Sequence, residues 1–461
     1  MKYDLIKNLV YILQLEHYDK KRMLSFAYKN FWKIFNTSKR GKIVWTLRAK
    51  EEYFLSWFLI LSFIFLTKYY FNFKLWIIFI LVFVGLPFFV FLADTIISPY
   101  IKYKKNQIFK KATKILENSK IQIIGITGSY GKTSTKYILE KILSEKFKIL
   151  KTEGNINTDI GISNFVIKNK NILDNYDFFI VEMGAYRIGD IKLLSKITKP
   201  VYSITTSIGK NHLERFGSQE NIIKAKFELA QNTKNKSFLN GCDKNIQNNY
   251  QNFLQNKNYE IFCPLEKIEN FQYLDDFKGI SFEYKNTKFT SQFLAKHSII
   301  NILLSTSLAE ELGLDLDEIK KAVAKIQNVE HRLYVIKNKN TGVTVIDDSY
   351  NGNYDGFISG IEILKNAKGR KIVLTPGIVE LTKKEKEEIH KELAKRYMEN
   401  VDLIILIKNS QTEIIKEYFD KNNFKNYKIY NSAKEAHEDL KNILKSGDTI
   451  IFQNDLPDNY N

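Results

Sequence analysis

Two long apolar runs, followed by a regular alternation of short apolar and amphipathic segments, divide this 461-residue chain. Residues 75–92 form an uncharged stretch long enough for a helix to cross a bilayer. Residues 53–66 are also uncharged, and that run extends to Phe73 once Lys68 is allowed to snorkel toward an interface. Trp57, Tyr69, Tyr70 and Trp76 lie near the ends of these runs, where interfacial aromatic residues concentrate. The pattern predicts a transmembrane helical hairpin over 53–98. The runs are remote from the N-terminus and no small-residue cleavage site follows them, which argues against a signal peptide. Residues 1–52 mix apolar positions (Leu5, Leu9, Val10, Leu13, Leu15) with basic ones (Lys20, Lys21, Arg22), consistent with an interfacial helix or an ordinary amphipathic one.

Beyond Ser119 the periodicity changes to β-rich runs separated by helical patterns, the mark of parallel α/β domains. Strands are predicted at 121–127, 147–151, 177–182, 201–205 and 237–240. A less regular region, 255–292, precedes a helix over 294–312. A second alternating unit starts near Glu330, with strands at 343–347, 371–375, 403–407 and 449–453. The resulting division is a basic amphipathic segment (1–52), the hairpin (53–98), a basic linker (99–119) and two α/β domains (120–330 and 331–461).

Charge changes the picture only once it is mapped. The formal net charge is +19, and residues 1–119 hold 20 Lys/Arg against 7 Asp/Glu, so most of the excess flanks the apolar runs. That placement points to anionic lipid headgroups and away from a nucleic-acid partner. Lys39, Arg40, Lys42, Arg48 and Lys50 precede the hairpin and Lys102, Lys104, Lys105, Lys110 and Lys111 follow it, whereas the connection has only Lys68 and Lys74. The positive-inside rule then puts both ends in the cytoplasm, at the cytoplasmic membrane. Two cysteines, Cys242 and Cys263, without a C-x-x-C pair, argue against a disulfide framework and a thiolate zinc site.

The chemistry begins at Thr127. T-G-S-Y-G-K-T-S-T (127–135) lies between a predicted strand and a helix. Glycines allow backbone N–H groups to close around phosphate oxygens at a positive helix end. Thr127, Gly128, Ser129, Tyr130, Gly131 and Ser134 would form that cradle, with Lys132 on the β/γ-phosphates and the Thr133 hydroxyl on Mg²⁺. Ile126 stands where the usual pattern has its first glycine. Glu182 ends a buried strand at the carboxyl edge, where ligands of parallel sheets bind, and could complete the oxygen shell that a hard cation requires. His212 and Glu214 fall on the loop after the next strand; Lys226, taken alone, is a solvated helix charge.

Taken together, T-G-S-Y-G-K-T-S-T, the Glu182 strand, H-L-E-R-F-G-S and A-K-F-E-L resemble the Mur ligase family, the ATP-dependent amide ligases of peptidoglycan precursor synthesis. E-G-N-I-N-T-D-I-G (153–161), G-A-Y-R-I-G-D-I (184–191) and D-D-S-Y-N-G-N (347–353) resemble its MurF branch, which adds D-alanyl-D-alanine to a muramoyl-tripeptide. The resemblance covers roughly residues 120–461. It implies a P-loop parallel α/β ATPase domain followed by a Rossmann-like α/β domain, acting as a monomer. By the same resemblance, Thr133 and Glu182 hold one Mg²⁺ and His212 with a carbamylated Lys226 a second. Asn240, with Asp243, and His297 and Asn301 lie near the nucleotide, Arg332 approaches its γ-phosphate and Asp348 its ribose. Asn155, Asn157 and Thr158 face the acceptor. The implied reaction is ATP-driven activation of a carboxylate as an acyl phosphate, then attack by an amino acid or dipeptide amine.

Three departures qualify the substrate. No globular unit precedes residue 120 where family members hold a UDP-sugar, so a lipid-linked muropeptide acceptor becomes an alternative to a UDP-linked one. Tyr354 replaces a proline, and L-T-P-G-I-V-E-L (374–381) and the ending I-F-Q-N-D-L-P-D-N-Y differ from the family pattern on the amine side. They resemble membrane-anchored Mur ligase-like proteins. A polyglutamate-type ligase and a non-catalytic ATP-binding membrane scaffold are the competing readings.

Overall fold

The computed structural model describes residues 4–16, 18–30, 34, 43–154, 156–209, 213–327, 331–349, 354–378, 381 and 383–453. His212, Asn155, residues 350–353 of the D-D-S-Y-N-G-N segment, Glu380 and the N-D-L-P-D ending lie outside the described residues, as do Lys39, Arg40, Lys42 and Glu330. The described residues fall into two compact units, divided at about residue 108.

The first unit is helical. Asp4 accepts from the Lys7 N–H and caps α1 (Leu5–Leu15), and Asp19 does the same for α2 (Lys20–Lys29). α3 (Leu47–Phe71) and the first part of α4 (Leu75–Glu117) follow. Ile6, Leu9, Val10 and Leu13 of α1 are buried in one cluster with Ile60, Phe89 and Val90, so this apolar face fills a core instead of lying at an interface. Lys20 and Arg48 pair with Asp94, and Arg48 also with Glu52. α3 and α4 are long and apolar enough to cross a membrane by length and composition. Phe54, Phe58, Leu61, Phe65, Trp76 and Phe79 are among their exposed side chains. The segment read as a linker is helical through Glu117, with Pro87 and Pro99 inside the helix.

In the second unit, residues alternate between two cores, which is why the first sheet is apolar on both faces. Its strands are β1 (Gln122–Thr127), β2 (Ile149–Lys151), β3 (Phe178–Glu182), β4 (Tyr202–Thr205), β5 (Lys236–Asn240) and β6 (Tyr259–Phe262). All pair in parallel, in the order β2-β3-β1-β4-β5-β6. Ile124, Ile126 and Ile180 pack with Ile138, Leu139 and Ile142 of α5 (Lys132–Leu143). Ile123, Phe179 and Val181 pack on the opposite face, with Ile191 and Leu194 of α7 (Asp190–Thr198) and Phe227 of α9 (Gln219–Gln231). α6 (Asp159–Lys168) follows β2, and a short α8 (Leu213–Phe216) precedes α9.

The region read as irregular contains β6 and an antiparallel sheet of β7 (Ile268–Leu274), β8 (Gly279–Tyr284) and β9 (Thr287–Ser291). The helix expected over 294–312 is Ser298–Glu311. A second six-stranded sheet follows, built from β10 (Tyr334–Asn338), β11 (Val343–Asp348), β12 (Lys371–Thr375), β13 (Leu403–Ile407), β14 (Tyr427–Tyr430) and β15 (Thr449–Gln453). Its order is β10-β11-β15-β12-β13-β14, parallel except for the β10 edge.

The sequence argument against disulfides is overturned: Cys242 and Cys263 form one. A separation of 21 residues hides their proximity, which arises because they follow the neighbouring strands β5 and β6 at the same edge.

Candidate active site

The carboxyl edge of the first sheet gathers most of the predicted residues. After β1, the chain turns through Gly128 and Gly131 into α5. A Cβ at Gly128 would sit 2.0 Å from Thr206 Oγ1, and Gly131 takes φ +78°, so both glycines are required by geometry. Loops of the adjacent strands lock this turn. Thr127 Oγ1 donates to Met183 O at 3.0 Å; the Ser129 and Tyr130 N–H groups donate to Ser207 O and Oγ, both at 2.8 Å. Thr206 and Ser207 are therefore holding residues that the motif reading missed. The T-T-S run at the end of β4 was their only signal.

Lys132 Nζ donates to the carbonyls of Gly128 (2.7 Å) and Ser129 (3.3 Å). Burial lowers its pKa; the Glu182 charge opposes this and the Arg332 charge adds to it. Burial and Arg332 likewise lower the pKa of His297, which precedes the helix Ser298–Glu311 and contacts Ser359 Oγ through Nδ1 at 2.9 Å. Asn301 on the same helix lies against Gly131. Arg332, from the second α/β domain, thus acts electrostatically on Lys132 and His297. Its neighbours fix it: His331 Nδ1 contacts Asp347 Oδ2 at 2.7 Å, and the Leu333 N–H donates to Asp348 Oδ1 at 3.1 Å. His331 and Leu333 take φ +64° and +54°, a strained pair that these carboxylates hold.

Glu182 is almost fully buried at the end of β3. Thr133 Oγ1 donates to its Oε2 at 2.9 Å, Lys136 Nζ lies 3.3 Å from the same oxygen, and Asn157 Nδ2 reaches Oε1 at 3.4 Å. A hydroxyl and a carboxylate converging beside this glycine turn fit a hard divalent cation. Lys226, read from sequence as a solvated charge, is instead buried on α9. Its pKa falls well below the ordinary value, through burial first and the Lys132 charge second, while Asp190 and Glu182 oppose the fall. Among the described residues no group of three or more His, Cys, Asp or Glu could hold a metal ion.

Other predicted residues have local duties. Both polar ends of the Asn240 side chain meet backbone: Nδ2 donates to Thr206 O and Oδ1 accepts from the Cys242 N–H, each at 2.9 Å. Asp243 accepts from the Ile208, Asn245 and Ile246 N–H groups. Thr158 caps α6. Glu228, which was not singled out, caps α7 by accepting from the Gly189 and Lys192 N–H groups at 2.6 and 2.9 Å.

This edge and the second domain correspond to known sequence models. Residues 126–309 match the Mur ligase middle domain and residues 331–453 the Mur ligase, glutamate ligase domain. The chain belongs to the Mur ligase family, a family of ATP-dependent peptide ligases.

Within that family it is similar to the UDP-N-acetylmuramoyl-tripeptide–D-alanyl-D-alanine ligase of Bacillus subtilis (strain 168), at 27% identity over 74% of this chain and 75% of that one. The Escherichia coli (strain K12) enzyme of that name is 28% identical over 56% of this chain and 58% of its own length. Among solved structures, MurF ligase from Thermotoga maritima in complex with ADP superposes with a TM-score of 0.64 at 27% identity, covering 76% of this chain and 80% of that one.

Proposed function

We propose that this protein joins a D-alanyl-D-alanine-type amine to the carboxylate of a muropeptide acceptor at the expense of ATP. The observation that carries the reading is the meeting of Thr133, Lys136 and Asn157 on Glu182 beside the phosphate loop, with Lys226 and Arg332 acting on the same place. The names of the similar ligases support the substrate class.

In this reading the loop 127–134 and Lys132 bind the ATP phosphates, with Asn240, Asp243, His297, Asn301 and Asp348 lining or supporting the nucleotide side. Thr133 and Glu182 would hold Mg²⁺, and His212 with Lys226 a second ion; bound there, the cations neutralise charge on the transferring phosphoryl group. Carbamylation would make Lys226 an anionic oxygen donor, and its burial favours the neutral amine that carbamylation requires. Arg332 stabilises negative charge as the γ-phosphoryl passes to the acceptor carboxylate. The amine then attacks the acyl phosphate, and phosphate leaves as the amide forms. Asn155, Asn157 and Thr158 face the acceptor.

The boundary near residue 330 is proposed as the division between the two ligase domains, which contribute Lys132 and Arg332 respectively. The N-terminal hairpin is proposed to anchor the enzyme in the cytoplasmic membrane with both domains on the cytoplasmic side, where a lipid-linked acceptor could be presented. The exposed apolar side chains of α3 and α4 support this. Lys132→Ala and Glu182→Ala are expected to abolish ATP-dependent ligation while leaving the protein in the membrane fraction. Full activity in either variant would remove the mechanism, and phosphate release without an acceptor and amine would favour a scaffold.

A further inference from the structure

Lys136 belongs to no phosphate-loop motif, yet it is buried one helical turn beyond Lys132, on the same face of α5. Its ammonium joins two elements. Nζ lies 3.3 Å from Glu182 Oε2, the oxygen that also accepts from Thr133, and donates to Gly154 O at 2.9 Å and Thr152 Oγ1 at 3.5 Å. Gly154 takes φ +48°, a left-handed conformation that glycine adopts without strain, in the turn whose carbonyl receives this bond. The same loop returns to the carboxylate through Asn157 Nδ2, which reaches Glu182 Oε1. Burying a lysine is costly unless its charge is compensated. Here the compensation comes from Glu182 and from the loop at 152–158.

We propose that Lys136 is a positioning residue that ties the loop 152–158 to Glu182 and so sets where the acceptor carboxylate lies relative to the phosphate side. The inference rests on the reading of that loop as the acceptor side. The ammonium of Lys136 bonds Thr152, Gly154 and Glu182, two of them on the loop, so its loss falls more heavily on acceptor use than on nucleotide binding.

The test compares wild type with Lys136→Met, which keeps length without charge, and with Lys136→Gln, which keeps a donor for Gly154 should the first variant fail to fold. Three quantities are read: MgADP affinity by calorimetry, hydrogen exchange of the 152–158 amides, and KM and kcat with UDP-linked muramoyl-tripeptide and D-alanyl-D-alanine. The expected result is a rise of about tenfold or more in acceptor KM and in loop exchange, the scale of one lost charge-assisted hydrogen bond, with a much smaller change in MgADP affinity. An unchanged acceptor KM, or an MgADP affinity that falls in step with it, overturns the proposal. If wild type itself forms no amide on this acceptor, the parent reading fails, and loop exchange alone decides: exchange at the wild-type rate in the variants overturns the tie.

Discussion

Lys132, Lys136 and Lys226 all act electrostatically on one buried carboxylate, Glu182, and the position of each determines its task. Lys132 bends over the phosphate loop, Lys136 faces the loop at 152–158, and Lys226 is enclosed on α9. Glu182→Gln should therefore cost more than a single lost contact. It leaves these lysines without their shared anion, and we expect ligation to fall by at least about a hundredfold in a product assay, the scale of losing a preorganised electrostatic partner. His390 offers a pH test outside the site. It is fully buried, its Nε2 accepts from the Ile378 N–H at 3.0 Å and its Nδ1 contacts Lys386 O at 2.7 Å. Burial lowers its pKa, so below the ordinary imidazole value, about 6.5, the unfolded chain takes up a proton that the folded chain resists. Stability should fall as pH drops through that value, and denaturant titrations of His390→Asn should show a shallower fall than wild type.

At the scale of elements, local patterning shows how much could be read beforehand. The strands 371–375, 403–407 and 449–453 were legible to the residue because each is a short apolar run buried between helices. β7 was not, since its residues are half-buried or exposed and neither strict alternation nor a continuous apolar run marks it. The geometry of the candidate site was legible where a motif combined strand, turn and helix, as at Thr127 to Thr135. It was not legible where a contact depends on the sheet order: Lys136, Thr206, Ser207 and the Cys242–Cys263 bond meet their partners only because β3, β1, β4, β5 and β6 lie side by side. Two predictions belong here. Gly128→Ala forces a methyl group onto Thr206 Oγ1 and should abolish MgADP binding measured by calorimetry. Glu228→Ala removes the cap from α7 and should destabilise the fold by about 0.5–2 kcal/mol in a denaturant titration, the usual range for a lost N-cap.

For the whole molecule, the proposed two-domain ligase follows an apolar helical unit along the chain. Within that unit the polar contacts of Lys20, Arg48, Glu52 and Asp94 join helices whose remaining surface is rich in exposed aromatic side chains. A bilayer is the environment that such a surface suits, so the protein should sediment with membranes and be released by detergent but not by high salt. The central claim concerns chemistry, and mass spectrometry of the reaction tests it most directly. Detergent-solubilised protein is supplied with ATP, Mg²⁺, D-alanyl-D-alanine and muramoyl-tripeptide acceptors in UDP-linked and lipid-linked forms. The account predicts a new amide with one ADP and one phosphate formed per product, and none of these from Lys132→Ala. Nucleotide binding without any amide on either acceptor would contradict it.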